Sequence, residues 1–74
     1  MTGWNAILST EQLAQHWANV AKLDAGFAAR AQAWWHNQDC NTLRSEMAGA
    51  WLANLPEAYC IARSYLAMRA PWIE

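Results

Sequence analysis

The stretch Phe27–Gln38, FAARAQAWWHNQ, decides the fold. At helical spacing Phe27, Ala31, Trp34, Trp35 and Gln38 fall at i, i+4, i+7, i+8 and i+11, one stripe of a 3.6-residue repeat. Trp34 and Trp35 point about 100° apart on a helix, so they form the two edges of that stripe, with Phe27 and Ala31 between them. One helix thereby offers a large ring to each of two neighbours. Trp34 is expected in the core of a helical bundle and Trp35 on its outer edge.

Upstream, Ser9 and Gln12 have the form of a capping box, and Leu8 with Leu13 can staple the start of a first helix. The stripe Leu13, Ala14, Trp17, Val20 and Ala21 follows, within an arc of about 100°. Gly26 is expected to supply the left-handed residue that stops this helix, with Phe27 as the hydrophobic residue of a Schellman motif. Downstream, Asp39-Cys40-Asn41-Thr42 is turn chemistry, with Asn41 or Thr42 expected to cap a third helix over Thr42–Asn54. Leu43, Met47, Ala50 and Trp51 make its apolar stripe. Ser45, Gly49 and Ala53 line up on its far side, flanked by Leu52. A glycine inside a helix costs about 1 kcal/mol relative to alanine, so Gly49 predicts close approach by another helix, of the same chain or of a twin.

Pro56 and Glu57 suit the first turn of a fourth helix, about Pro56–Arg69. Ile61, Tyr65 and Met68 lie on one side of it and Tyr59, Ala62 and Leu66 on another, which predicts neighbours on both flanks. The whole is read as all-α: one domain over residues 1–74, four short helices joined by tight turns, with apolar tails at 1–8 and 70–74. The motif Ala-x-x-Trp recurs at Ala14–Trp17, Ala31–Trp34 and Ala48–Trp51, a spacing of 17 residues whose next step reaches Met68. That period predicts that each helix places its ring at a similar level of the bundle.

Composition bounds what such a bundle does. The chain has 74 residues, 55% of them hydrophobic, with six Trp, and only 15% charged. A domain of this size buries only about 60% of the surface its unfolded chain exposes. Many large rings and few charges therefore leave apolar surface to be covered by a second copy or by a partner protein. The net charge is −1, with five Lys and Arg against six Asp and Glu. The basic residues are dispersed, so nucleic-acid binding by one chain alone is not expected. The amino terminus lacks the basic start of a signal peptide, and no apolar run is long enough to span a membrane. Two cysteines without secretory context read as reduced thiols, and the expected location is cytoplasmic.

Chemistry finds little purchase. His16, His36, Cys40 and Cys60 contain no CxxC-type pair for a structural zinc site. Cys40 has His36 and Asp39 nearby in sequence, yet a short helical scaffold leaves little room for a substrate cleft and an oxyanion hole. Cys60 is read as lying on the polar face of its helix. The three glycines are isolated, so there is no phosphate loop, and no metal or other cofactor is implied. Arg30 stands four residues before Trp34, where a cation–π contact can form.

The run Lys22-Leu23-Asp24-Ala25-Gly26-Phe27, with Arg30-Ala31 and Trp34-Trp35 after it, resembles the LE–G–aromatic–RA–W pattern of the PerC and ANR groups, small helical regulators of bacterial plasmids and phages. The likeness covers about fourteen residues, with spacing shifted by a gap and without the basic residues of PerC-like proteins. It implies a regulatory role and assigns no residue.

These readings converge on a small non-enzymatic interaction module, expected to be a homodimer. It would be a regulator or inhibitor of the phage- or plasmid-encoded kind, masking a host or partner protein through an aromatic-rich helical face. Trp, Tyr and Arg dominate binding hot spots, so the candidate interface residues are Trp35, Arg30, Gly49, Leu52, Tyr59 and Trp72. One rival is a dimeric transcriptional or nucleic-acid-associated regulator that gathers Arg30, Arg44, Arg63 and Arg69 on one surface. The other is a thiol- or metal-dependent activity.

Overall fold

Helix starts follow short side chains that accept from backbone N–H groups the helix leaves unpaired. Ser9 accepts from Gln12 N at 3.1 Å, while Ser9 N donates to Gln12 Oε1 at 2.8 Å, completing the expected capping box. In the computed structural model, which describes residues 7–69, the elements are α1 Thr10–Leu23, α2 Ala25–His36, α3 Cys40–Leu52 and α4 Pro56–Arg69. Together they form an all-α bundle of four helices with tight turns.

The turns are built differently from expectation at two points. Gly26 does not stop α1; it lies in the first turn of α2. Asp24, in extended conformation, serves both helices: its N–H donates to Val20 O, and its Oδ1 accepts from Phe27 N at 2.9 Å. An aspartate able to end one helix and start the next makes a left-handed residue unnecessary. Likewise Asp39, not Asn41 or Thr42, caps α3, accepting from Thr42 N at 2.8 Å. The Schellman motif falls at the end of α3. Asn54 takes φ 58°, Leu55 N donates to Ala50 O and Asn54 N to Trp51 O. These are the paired bonds that satisfy a helix's last carbonyls.

Two helical hairpins result, α1 with α2 and α3 with α4. The cleft residues Thr10, Ala14, His36 and Gln32 show the first to be antiparallel, with Thr10 near His36. The second half of α4 packs against the open end of the first hairpin. Leu13, Trp17, Leu43, Ile61, Tyr65 and Leu66 form the core, with Leu8, Val20, Ala31, Trp35, Cys40 and Met47 against it. α4 buries Cys60, Ile61, Ala62, Ser64, Tyr65 and Leu66, so it is the central element and has neighbours on both flanks as its wide apolar face predicts. Cys60 is therefore in the core, not on a polar face.

The two tryptophans of the quoted stretch are reversed relative to expectation. Trp34 is 44% exposed, while Trp35 is half-buried against the core. The buried Ala28 sets the rotation of α2. The inward direction then runs through Ala28, Ala31, Gln32 and Trp35, about one residue away from the expected stripe. The 17-residue series fails for a related reason. Trp17 is the eighth residue of α1, Trp34 the tenth of α2 and Trp51 the twelfth of α3. Each step turns the ring through about 200° relative to its helix start, so only Trp17 of the three is buried.

Candidate interaction surface

The core's polar centre is Tyr65. It is fully buried, and its hydroxyl accepts from Trp17 Nε1 at 2.9 Å. Trp35 stacks on its ring at 6.0 Å between centroids and 7° between planes, and His36 meets it edge-on at 5.0 Å. The Arg69 guanidinium lies 6.0 Å from the ring centroid, and Arg69 also donates to the His36 carbonyl. The cation–π contact is therefore Arg69 on Tyr65; Arg30 instead lies back along α2, with Nη1 3.2 Å from the position a Cβ on Gly26 would take. A second buried polar group, the Ser64 hydroxyl, accepts from Leu8 N at 2.7 Å and donates to Cys60 O at 2.6 Å, tying the segment before α1 to α4.

With Trp35 and Tyr65 drawn inward, the exposed apolar surface lies elsewhere. An open groove of about 510 Å³ between α3 and α4 is lined by Met47, Ala48, Trp51, Leu52 and Tyr59. Trp51 is 59% exposed and Leu52 85%. The rings of Trp51 and Tyr59 sit 5.9 Å apart, tilted by 54°. The Schellman turn and Pro56 hold the two walls together at this end of the hairpin. Leu23 at 90%, Phe27 and Trp34 form a second exposed set on the other hairpin.

Of the six candidate interface residues, the groove brings together Leu52 and Tyr59. Arg30 is exposed on α2, and Trp35 presents only part of its surface. Gly49 is exposed, with nothing within 4 Å of the place its Cβ would occupy were it an alanine, so no described helix of this chain crosses closely there. Trp72 lies outside the described residues, as do most of the two apolar tails. Met47, Ala48 and Trp51 complete the groove, and of these Met47 and Trp51 lie on the apolar stripe expected for α3. In the sequence Trp51 stands at the edge of that stripe, next to Leu52 on the far side.

The residues of the rival chemical readings are scattered. Cys40 and Cys60 form no disulfide, and among the described residues no group of three or more His, Cys, Asp and Glu can hold a metal ion. A polar hollow of about 240 Å³ does collect His16, Glu57 and the buried Cys60 with Gln12, Gln15 and Asn19. Asp39 is held below the ordinary aspartate range, mainly by the Thr42 backbone N–H and further by the Thr42 side chain. That is capping electrostatics. No described helix is long and apolar enough to cross a membrane.

The described chain is thus a compact four-helix, all-α bundle with an open apolar groove between α3 and α4. No protein-family profile, curated protein or solved structure matches it. The likeness to the PerC and ANR groups rests on its fourteen residues alone.

Proposed function

We propose that this protein is a non-enzymatic interaction module, a regulator or inhibitor of the mobile-element kind, which binds and masks a partner protein through the α3–α4 groove. The observation that supports this reading is the open apolar groove with Trp51 and Leu52 projecting from it. Exposed apolar concavities with an aromatic anchor are where binding energy concentrates. A partner helix presenting one or two large apolar side chains fits such a groove.

The test is affinity purification from host cells with three baits: wild type, Trp51→Ala/Leu52→Ser, and Trp34→Ala as a control on the other hairpin. A protein recovered by wild type and by Trp34→Ala, lost with the groove variant and rebinding in purified form supports the reading. Equal recovery with all three baits, or direct binding unchanged by the groove variant, removes it.

A further inference from the structure

We infer that a second copy of this chain docks on the α1–α2 hairpin, in an antiparallel two-fold arrangement centred between Ala14 and Ala18. This goes beyond the partner-binding reading and uses the opposite hairpin from it. The hairpin carries a groove of about 330 Å³ whose walls are mostly alanine, among them Ala14, Ala18, Ala21, Ala25 and Ala29. It shares Ala14, Trp17 and Gln32 with the cleft that Tyr65 and Met68 close at the hairpin's open end. Alanine walls keep no rotamer entropy to lose and let helix axes approach to about 8 Å.

The choice of occupant comes from charge. Glu11 and Lys22 are both exposed, and they flank the alanine face of α1 at its two ends. In an antiparallel pairing of two α1 helices, Ala14 meets Ala18 of the second copy when the axis passes level with residue 16. The pair Glu11 and Lys22 has its midpoint half a residue away, about 0.75 Å along the helix. One operator therefore packs alanine on alanine and sets Glu11 against Lys22 twice, as a two-fold, self-complementary interface requires. Reversing the direction of the second helix would set Glu11 beside Glu11 and Lys22 beside Lys22. Gln32, half-buried and lining the groove with Ala14, is donor and acceptor at once and suits reciprocal bonding about the same axis.

Sedimentation equilibrium of the full chain tests the arrangement. The wild type is expected to be a dimer at roughly 100 µM, a concentration at which even modest interfaces assemble. Ala18→Glu is expected to be monomeric with unchanged helicity, because Ala18 is exposed in the single chain. Glu11→Lys and Lys22→Glu each turn two attractions into two repulsions and weaken dimerisation roughly tenfold, while the double exchange returns it to within about threefold of wild type. Under oxidation Ala14→Cys/Ala18→Cys yields a covalent dimer faster than Gly49→Cys does. A monomeric wild type overturns the inference and leaves the groove to another protein or to none. A dimer that survives Ala18→Glu, or a double exchange no better than the singles, overturns it as well. The Trp51→Ala/Leu52→Ser chain should dimerise normally, so loss of partner capture and loss of the dimer are separately readable.

Discussion

At the scale of single residues the molecule turns on Tyr65, which joins Trp17 of α1, Trp35 and His36 of α2 and Arg69 of its own helix. Removing its hydroxyl leaves the Trp17 N–H buried without its acceptor, a loss of about 1–3 kcal/mol. Tyr65→Phe is therefore expected to lower the urea midpoint clearly. Trp35→Ala, which removes the stacked ring, should cost about 2 kcal/mol, below the range for a fully buried aromatic. Trp34→Ala should cost less, about 1 kcal/mol, because that ring is 44% exposed and keeps chiefly its edge contact with Trp35 at 5.0 Å. Equal losses at Trp34 and Trp35 would contradict the packing. Sequence could place both tryptophans on a helix but could not order them. Their order depends on Ala28, a small residue that settles how α2 rolls against α1, and on a tyrosine thirty residues further along the chain. Periodicity sees neither. The Ser64 link to Leu8 was equally invisible, because a serine within an apolar face gives no sign of which distant N–H it will accept.

At the scale of elements the four helices and the tight turns were legible, and the first and last starts were read from Ser9–Gln12 and Pro56. The middle starts were not, because Asp-Ala-Gly-Phe and Asp-Cys-Asn-Thr each offer several capping residues. Aspartate prevails at both, its carboxylate accepting at the positive end of the helix dipole. Its consequence is a pH dependence with a definite sign. The Asp39 pKa is lowered in the folded chain. Its contribution is fully present above the ordinary aspartate pKa and is lost as pH falls through the lower folded value. Circular dichroism should show wild-type helicity falling in that acidic window more steeply than in Asp39→Ala, whose α3 start is already frayed at neutral pH. Identical acid profiles for the two would remove Asp39 from this role. At the other end of α3, Asn54 occupies the left-handed region. Asn54→Ala should cost about 1 kcal/mol and Asn54→Gly little or nothing. A chain indifferent to alanine there would mean the Schellman turn is not what closes the α3–α4 hairpin.

At the scale of the whole molecule, composition foretold an excess of apolar surface but not its location. The tandem tryptophans drew attention to α2, yet the most exposed apolar ring among the described residues is Trp51, at the mouth of the α3–α4 groove. The physical reason is topological. The buried face of α4 meets both hairpins, so rings facing it are enclosed, and the outer walls of each hairpin keep theirs in solvent. This separation has a measurable consequence. Because Trp51 and Leu52 are largely outside the core, replacing them with alanine and serine should cost no more than about 2 kcal/mol of unfolding free energy, chiefly for the lost Trp51–Tyr59 ring contact. The same replacement should sharply reduce binding of an apolar fluorescent dye, since it removes the anchor ring and the most exposed wall of the groove. Trp34→Ala should reduce dye binding less, for it lies outside that groove. A large stability loss in the Trp51/Leu52 variant would place those side chains in the fold's own core, and unchanged dye binding would mean the groove is closed in solution. The expected pairing, stability kept and dye binding lost, is the signature of an exposed apolar surface that the fold itself does not use.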